Sequence, residues 1–420
     1  MKILVVSQYF WPENFRINEL VGELVRRGHQ VVVLTGQPNY PDGVIFPEYR
    51  AAPARYSAFE GAEIVRTPML PRGRGRLRLL LNYVSFALLA GIWGSWKLRG
   101  RAFDVIFTFE PSPISVGIAS AWMRWRTGAR QAFWVLDLWP ETLRAVNMVR
   151  SDRLLSFVGL LVRFVYRHCD LILAQSRSFV GDIGRYAPQD AWIEYFPAWA
   201  DQVFAAGRAA PAAEIPPASA GMTTILFAGN IGEAQDFPAI LEAAGHLRHR
   251  SDIRWVVVGD GRMAGWLREQ IAERQLEQAV LMVGRHPLER MPAFYAHADA
   301  LLVSLKDDPV FAMTIPGKLQ SYFAAGLPVL AMLNGEGARI VAEGQAGLVC
   351  PAGNGRQLAE IVERMADMPP EARQRMGENG RHLCAEQFDR GLLISRLEGW
   401  LTTLAAKRKE NGKAGAAGPM

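Results

Sequence analysis

Two short runs in this sequence combine residue types that chemistry requires. Asp137 and Glu141 flank Trp139-Pro140 directly after the apolar run that begins at Ala132. A carboxylate at the end of a buried strand is placed to orient a hydroxyl group or take its proton. The plainer reading is that Asp137 caps the turn that follows it. The second run is Thr314-Ile315-Pro316-Gly317-Lys318. Pro316 suits the first turn of a helix, where its missing N–H costs nothing. Gly317 lets an anion approach the backbone, and Lys318 adds an ammonium beside free amides. The combination suits a ligand that carries phosphate; an ordinary helix start with a solvated lysine is the alternative. No Asp-x-Asp pair occurs, Asp307 and Asp308 being adjacent. Helix ends and cations, with no metal and no other cofactor, are therefore expected to meet the charge.

The elements that must position these residues follow a repeated scheme. Strand candidates begin at Ile3, Val31, Ile64, Val105, Ala132, Leu171 and Trp192, and helical spacing lies between several of them. A second series covers Thr224–Ala228, Trp255–Val258, Val280–Val283, Ala300–Leu305, Pro328–Ala331 and Gly347–Cys350. Continuous apolar runs separated by helices read as buried parallel strands. The fold expected is α/β, two Rossmann-like doubly wound domains facing a cleft. Their spans would be 1–205 and 222–388, joined through the Ala/Pro/Gly-rich stretch 205–221. A helix near 389–405 is expected to pack back on the first domain, and 406–420 to form a disordered tail. In such sheets ligands bind beyond the carboxyl ends of the strands.

Composition narrows the function. Half of the 420 residues are hydrophobic and the net charge is +6, a modest basic excess that favours anionic partners. Three scattered cysteines give neither a disulfide framework nor a zinc site and fit a reducing compartment. The opening Ile3–Val6 reads as a strand, too short for a signal-peptide core. A dinucleotide fold would need a glycine-rich first turn, yet the first strand runs into Ser7-Gln8-Tyr9-Phe10-Trp11-Pro12-Glu13. Gly259-Asp260-Gly261 is followed by Gly265, one residue late for that fingerprint.

The stretch Ala300 to Met332 resembles the donor-binding segment of the retaining glycosyltransferases of family 4, which have the GT-B fold. The likeness extends to Tyr9–Glu13, Arg27-Gly28-His29-Gln30-Val31, Asp137-Leu138-Trp139-Pro140-Glu141 and Phe227–Gln235. The last two runs resemble the bacterial branch that builds O-antigen, capsule and colanic acid, including N-acetyl-L-fucosamine transferases. The resemblance implies a UDP-sugar donor in the second domain, held by Gly229, Asn230, Gly259, Gly284, Arg285, Thr314, Pro316, Gly317, Lys318, Gln320 and Ser321. The base would rest on the loop Val283–Pro287. Relatives often carry a His near the turn at Asp137, where Leu136 stands here; by their strand-end position Asp137 and Glu141 are the expected catalytic carboxylates, and Glu13, Asn14 and Glu110 the expected contacts to the acceptor. The acceptor would be an undecaprenyl-diphosphate-linked saccharide. Two departures stand out. Met313 and Ser321 occupy the places of a common glutamate pair, and Asn230 and Gln235 the places of an Arg and a Lys. Gln320 or Ser321 is expected to replace the ribose-binding carboxylate. A sugar-nucleotide 2-epimerase and a non-catalytic donor-binding subunit are the alternatives.

Pro71 to Trp96 carries Arg72, Arg74, Arg76 and Arg78 ahead of an apolar run with Tyr83, Phe86, Trp93 and Trp96. A buried helix, an interfacial helix and a transmembrane helix all fit such a run. With no nucleic-acid motif, the expected basic contact is peripheral, with an anionic membrane. The expected place is the inner face of the cytoplasmic membrane.

Overall fold

The computed structural model describes every residue except 74, 146–148, 150, 207–208 and 417–420; the side chains of 76, 205–206 and 409–416 also lie outside the described residues. The chain divides into two compact units, one of Met1–Phe196 with Ile394–Met420 and one of Pro197–Leu393.

The strands of the first unit are β1 (Lys2–Ser7), β2 (Gln30–Thr35), β3 (Ala58–Phe59), β4 (Ala62–Arg66), β5 (Val105–Glu110), β6 (Arg130–Val135), β7 (Leu171–Ala174) and β8 (Ile193–Tyr195). Their spatial order is β3-β4-β2-β1-β5-β6-β7-β8, parallel except for β3 against β4. The second unit has β9 (Thr223–Ala228), β10 (Ile253–Val258), β11 (Val280–Gly284), β12 (Ala300–Ser304), β13 (Val329–Met332) and β14 (Gly347–Cys350). These order as β11-β10-β9-β12-β13-β14, all parallel. Both units are thus Rossmann-like α/β domains. Every strand expected from the sequence is present. The two-residue β3, too short to leave a periodic signal, is additional.

The Val/Ile/Leu/Phe runs are buried on both faces because helices cover both sides. Ile3 to Val6, Leu226 and Leu301 have no measurable exposure. The strand order then decides where ligands fit. The chain leaves β1 toward β2 and returns to β5 on the other side; it leaves β9 toward β10 and returns to β12. The crevice of each sheet therefore opens at the carboxyl ends of β1 and β5, and of β9 and β12.

Two boundaries differ from the expected ones. The first unit ends at Phe196, not 205, and the stretch expected as a linker belongs to the second unit. Its apolar residues explain this: Ala212 and Ile215 are buried, and the Ala212 amide donates to the Ala293 carbonyl at 3.0 Å. Residues 207 and 208 of that stretch lie outside the described residues. At the other end the helix Arg390–Ala416 continues through most of the expected tail. Arg408 holds it, donating to the carbonyls of Phe103 and Thr127. The rest of the expected tail, 417–420, lies outside the described residues.

Candidate active site

The first crevice is built from the loops after β1, β5 and β6. Glu13 is nearly inaccessible. Its Oε1 accepts from the amides of Asn39 (2.8 Å) and Tyr40 (2.7 Å), and its Oε2 from that of Phe10 (3.2 Å). Burial raises its pKa, while those three bonds and nearby Arg66 oppose the rise. This carboxylate ties the β1 loop to the β2 loop, which corrects its expected role as an acceptor contact: it is buried and already accepts three backbone bonds. Asn14, next to it, is exposed. Glu110, the last residue of β5, is fully buried, so it too does not reach an acceptor.

Asp137 and Glu141 lie where the sequence places them, after β6, and both are half-buried. Thr142 donates its hydroxyl to Asp137 Oδ1 at 2.6 Å, and Trp139 its indole N–H to Oδ2 at 3.3 Å. Burial raises the Asp137 pKa, and the bonds from Thr142, Trp139 and Ser112 oppose the rise. Glu141 opens the short helix Glu141–Ala145 and accepts from the Tyr186 hydroxyl at 3.1 Å; its Oε2 is buried and meets no donor. Its pKa is also raised, first by burial. Asp137 thus does more than cap a turn. It is a held, partly accessible carboxylate with an affinity for protons above the ordinary.

The second crevice centres on Gly229. It adopts φ +140° and donates its amide to Val258 at 2.8 Å, while a Cβ on Gly259, at φ +154°, would strike the Gly229 carbonyl. Only glycine fits this crossing of the β9 and β10 loops. Lys318 lies beneath it. Its Nζ is buried, has no hydrogen-bond partner and sits 3.6 Å from the centre of the Phe227 ring. Burial lowers its pKa to about 7. The lysine is therefore neither a solvated helix-start residue nor part of an ion pair. The helix itself begins at Gly317, one residue later than expected, because Pro316 is extended at ψ 129°.

Other expected donor contacts divide. Asn230, Arg285 and Gly317 are exposed, and Gly284 is half-buried at φ +79° with open space beside its Cα. The Thr314 hydroxyl is turned to its own helix, donating to Val310 at 2.9 Å. Gln320 is fully buried, its amide nitrogen donating to the carbonyls of Pro316 (3.1 Å) and Gly317 (2.9 Å). It therefore does not replace a ribose-binding carboxylate. Ser321 donates to Asp201 Oδ2 at 2.8 Å. A carboxylate thus does reach this helix, from a segment 120 residues away in sequence, a separation at which no local motif signals it.

The apolar helix Arg76–Lys97 packs by one face only. Asn82, Phe86 and Ala90 are buried, and Asn82 accepts from Gln8 at 2.7 Å. Leu77, Leu80, Val84, Leu88, Ile92 and Trp96 are exposed, Leu77 to 69%. Trp125 (74%) and, on the helix Asp152–Arg167, Phe157 (68%) and Leu160 are exposed too. A depression of about 490 Å³ lies between Trp96, Trp122 and Trp125. Arg72 turns its guanidinium onto the Tyr40 ring, 5.4 Å from its centre, and Arg78 is exposed. Arg74 and the Arg76 side chain lie outside the described residues.

Two doubly wound domains, each with its polar groups at the switch point of a parallel sheet, define a GT-B protein. Solved structures agree on that fold. The HepE protein of Anabaena, in complex with UDP and glucose, superposes with a TM-score of 0.65 at 15% identity, covering 96% of this chain and 99% of its own. WaaG, a glycosyltransferase of lipopolysaccharide biosynthesis, gives 0.62 at 15% identity, covering 96% and 100%. Residues 14–199 match the glycosyl transferase 4-like domain, and residues 214–383 match the group 1 glycosyl transferases. The chain belongs to the group 1 glycosyltransferases, with a family-4-like first domain, and is a transferase. It is 26% identical over 345 residues, 78% of this chain and 82% of the other, to a protein of Escherichia coli (strain K12) assigned to colanic acid biosynthesis as the glycosyl transferase WcaI.

Proposed function

We propose that this glycosyltransferase moves a sugar from a UDP-sugar bound in the second unit to a saccharide acceptor met by Asp137 in the first, in the assembly of a bacterial surface polysaccharide. The observation that carries the donor half is Lys318. A buried ammonium without a counter-ion is costly, and an arriving diphosphate supplies the missing charge. The exposed Gly317, at the start of the same helix, leaves backbone open to that ligand. The UDP in the HepE complex and the role assigned to WcaI support the donor and the pathway class. N-acetyl-L-fucosamine is the sugar suggested by the branch resemblance, with retention of configuration and no essential metal.

The acceptor half of the proposal is an undecaprenyl-diphosphate-linked saccharide at the inner face of the cytoplasmic membrane. The exposed apolar face of Arg76–Lys97 supports this. No Asp or Glu occurs between Glu63 and Asp104, while Arg72, Arg78, Lys97, Arg99 and Arg101 do, a charge bias suited to anionic lipid. The experiment is to incubate the protein with candidate UDP-sugars, with and without lipid-linked acceptor, and follow UDP and product. Acceptor-dependent transfer that survives EDTA is the expected result. Free product without acceptor would make it a 2-epimerase, and loss of activity in EDTA would reinstate a metal.

A further inference from the structure

Beneath Asp137 lies a group of buried polar atoms that neither half of the proposed reaction uses. Glu110 and Thr108 project from the same face of β5, in register with Val135 and Phe133 of β6. Tyr166 packs edge-on against Phe133, its ring centre 6.2 Å away. All three residues are buried, and the Thr108 hydroxyl, the Tyr166 hydroxyl and both carboxyl oxygens of Glu110 lack a hydrogen-bond partner. In a native interior each such group needs an explanation. The charged and titratable groups around Glu110 are Asp137 from the β6 loop and Tyr166 from the helix Asp152–Arg167. Glu141 and Cys169 also act on Tyr166, and Tyr83 of the helix Arg76–Lys97 acts with Asp137. Arg185, with Asp182, acts on Glu141, and among the described residues no cation acts on Glu110.

Two carboxyls whose charges act on each other do not readily both ionise when one of them is fully buried. Here the donors decide which one carries the charge. Asp137 holds bonds from the Thr142 and Trp139 side chains, whereas no side chain donates to Glu110 and only the neighbouring amides of Leu136 and Asp137 lie near its carboxyl, short of a well-formed bond. We propose that Glu110 is a positioning residue that keeps its proton in the working enzyme, leaving Asp137 as the one anion at this end of the sheet. The proposal rests on the reading of Asp137 as the carboxylate that meets the acceptor. Burial is the main cause that raises the Glu110 pKa well above the glutamate value, the Asp137 charge is the second, and the neighbouring amides of Leu136 and Asp137 oppose both.

A group whose pKa is raised by folding supports the fold at low pH and ceases to do so as pH climbs toward its folded value. The wild-type protein should therefore lose stability above the ordinary glutamate range, and Glu110→Gln, which mimics the protonated acid, should not. Unfolding midpoints of both proteins, taken without ligand from about pH 5 to about pH 9, are expected to coincide at the acid end. They should separate by roughly 2–4 °C or more in favour of the variant at the alkaline end. At saturating UDP-sugar, where the titration of Lys318 does not limit donor binding, the alkaline fall in wild-type turnover should be absent from Glu110→Gln. A variant that is less stable by the same amount at every pH, or that keeps the alkaline fall, overturns the proposal. If the variant does not fold, the wild-type protein labelled with carbon-13 at its glutamate carboxyls is read directly by infrared spectroscopy at neutral pH. A protonated-carboxyl band supports the proposal and its absence overturns it. The unfolding series needs neither donor nor acceptor, so it reads the Glu110 proton separately from any failure to transfer a sugar, and the two failures are told apart.

Discussion

The crevices of the two sheets are built alike and charged in opposite senses. In the second, the Lys318 ammonium is buried under Gly229, and none of the described residues pairs with it. In the first, carboxyls crowd the end of β5 and β6. The shifts run toward neutrality in both: Lys318 down to about 7, Asp137, Glu141 and Glu110 upward, with burial the leading cause each time. The same desolvation thus prepares one crevice for an anion and the other for a proton. Fold alone does not distinguish them; the residue types at equivalent strand ends do.

The comparison is broken most severely at Asp137. Asp137→Asn should lower turnover by about a hundredfold or more, the scale of a lost general base, while UDP affinity stays near wild type. Steady-state kinetics beside calorimetric titration separates the two quantities, and normal turnover would leave Asp137 without a catalytic role. Glu141→Gln should move the same quantity by less, because Glu141 already accepts from Tyr186.

On the donor side, Lys318→Ala should weaken UDP binding by roughly ten- to a hundredfold and change uridine binding little, the value of about 1.5–3 kcal/mol for a charge-assisted contact. Equal loss for both ligands would point to a damaged fold. Wild-type affinity for UDP should also fall as pH rises above about 7, at most tenfold per unit, since the lysine must be protonated to bind. A flat profile would mean that Lys318 does not meet the phosphates.

Stability should answer in the reverse direction. Lys318→Met removes the buried ammonium and should raise the unfolding midpoint at neutral pH by a few degrees, with the gain shrinking as pH approaches the ordinary lysine range. The sign follows because a lysine with a lowered folded pKa opposes folding below that value and ceases to oppose it above the unfolded one. The smallest expected effect lies at the surface. Arg78→Glu and Phe157→Glu should each reduce binding to anionic vesicles severalfold, at about 1 kcal/mol per basic residue, and added salt should mimic the first but not the second. Indifference of both variants would remove the membrane from the proposal.

Much of this was legible in the sequence, for reasons that can be located. Parallel strands buried on both faces are written as unbroken apolar runs, so β1, β5, β9 and β12 are plain. The strand-end positions of Asp137 and Lys318 follow from the same runs. Side-chain commitments were not legible. Glu13 and Asn14 are polar neighbours, yet one is pinned by three amides from two loops and the other is exposed. Ser321 meets Asp201 only because the chain folds back over a long separation. The helix Arg76–Lys97 has apolar residues almost all round, so periodicity does not tell its packed face from its exposed one.

The last helix carries a consequence for how the molecule is made. Leu397, Leu401 and Leu404 are buried, and Glu398 reaches Arg27 at 3.0 Å and His29 at 2.8 Å. These partners are separated by some 370 positions, so the first unit closes with residues that leave the ribosome after the whole of the second unit. The second unit, whose ends are drawn together by the Ala200 amide on the Phe388 carbonyl at 3.1 Å, is in effect inserted within the first. During synthesis the inserted unit is able to finish folding before the host that begins the chain, an inversion of the usual order in which the earlier domain folds first. A fragment cut at Phe196 would expose the groove that those leucines fill, and would be expected to need the C-terminal helix, supplied on the same chain or added as a peptide, to become a stable domain.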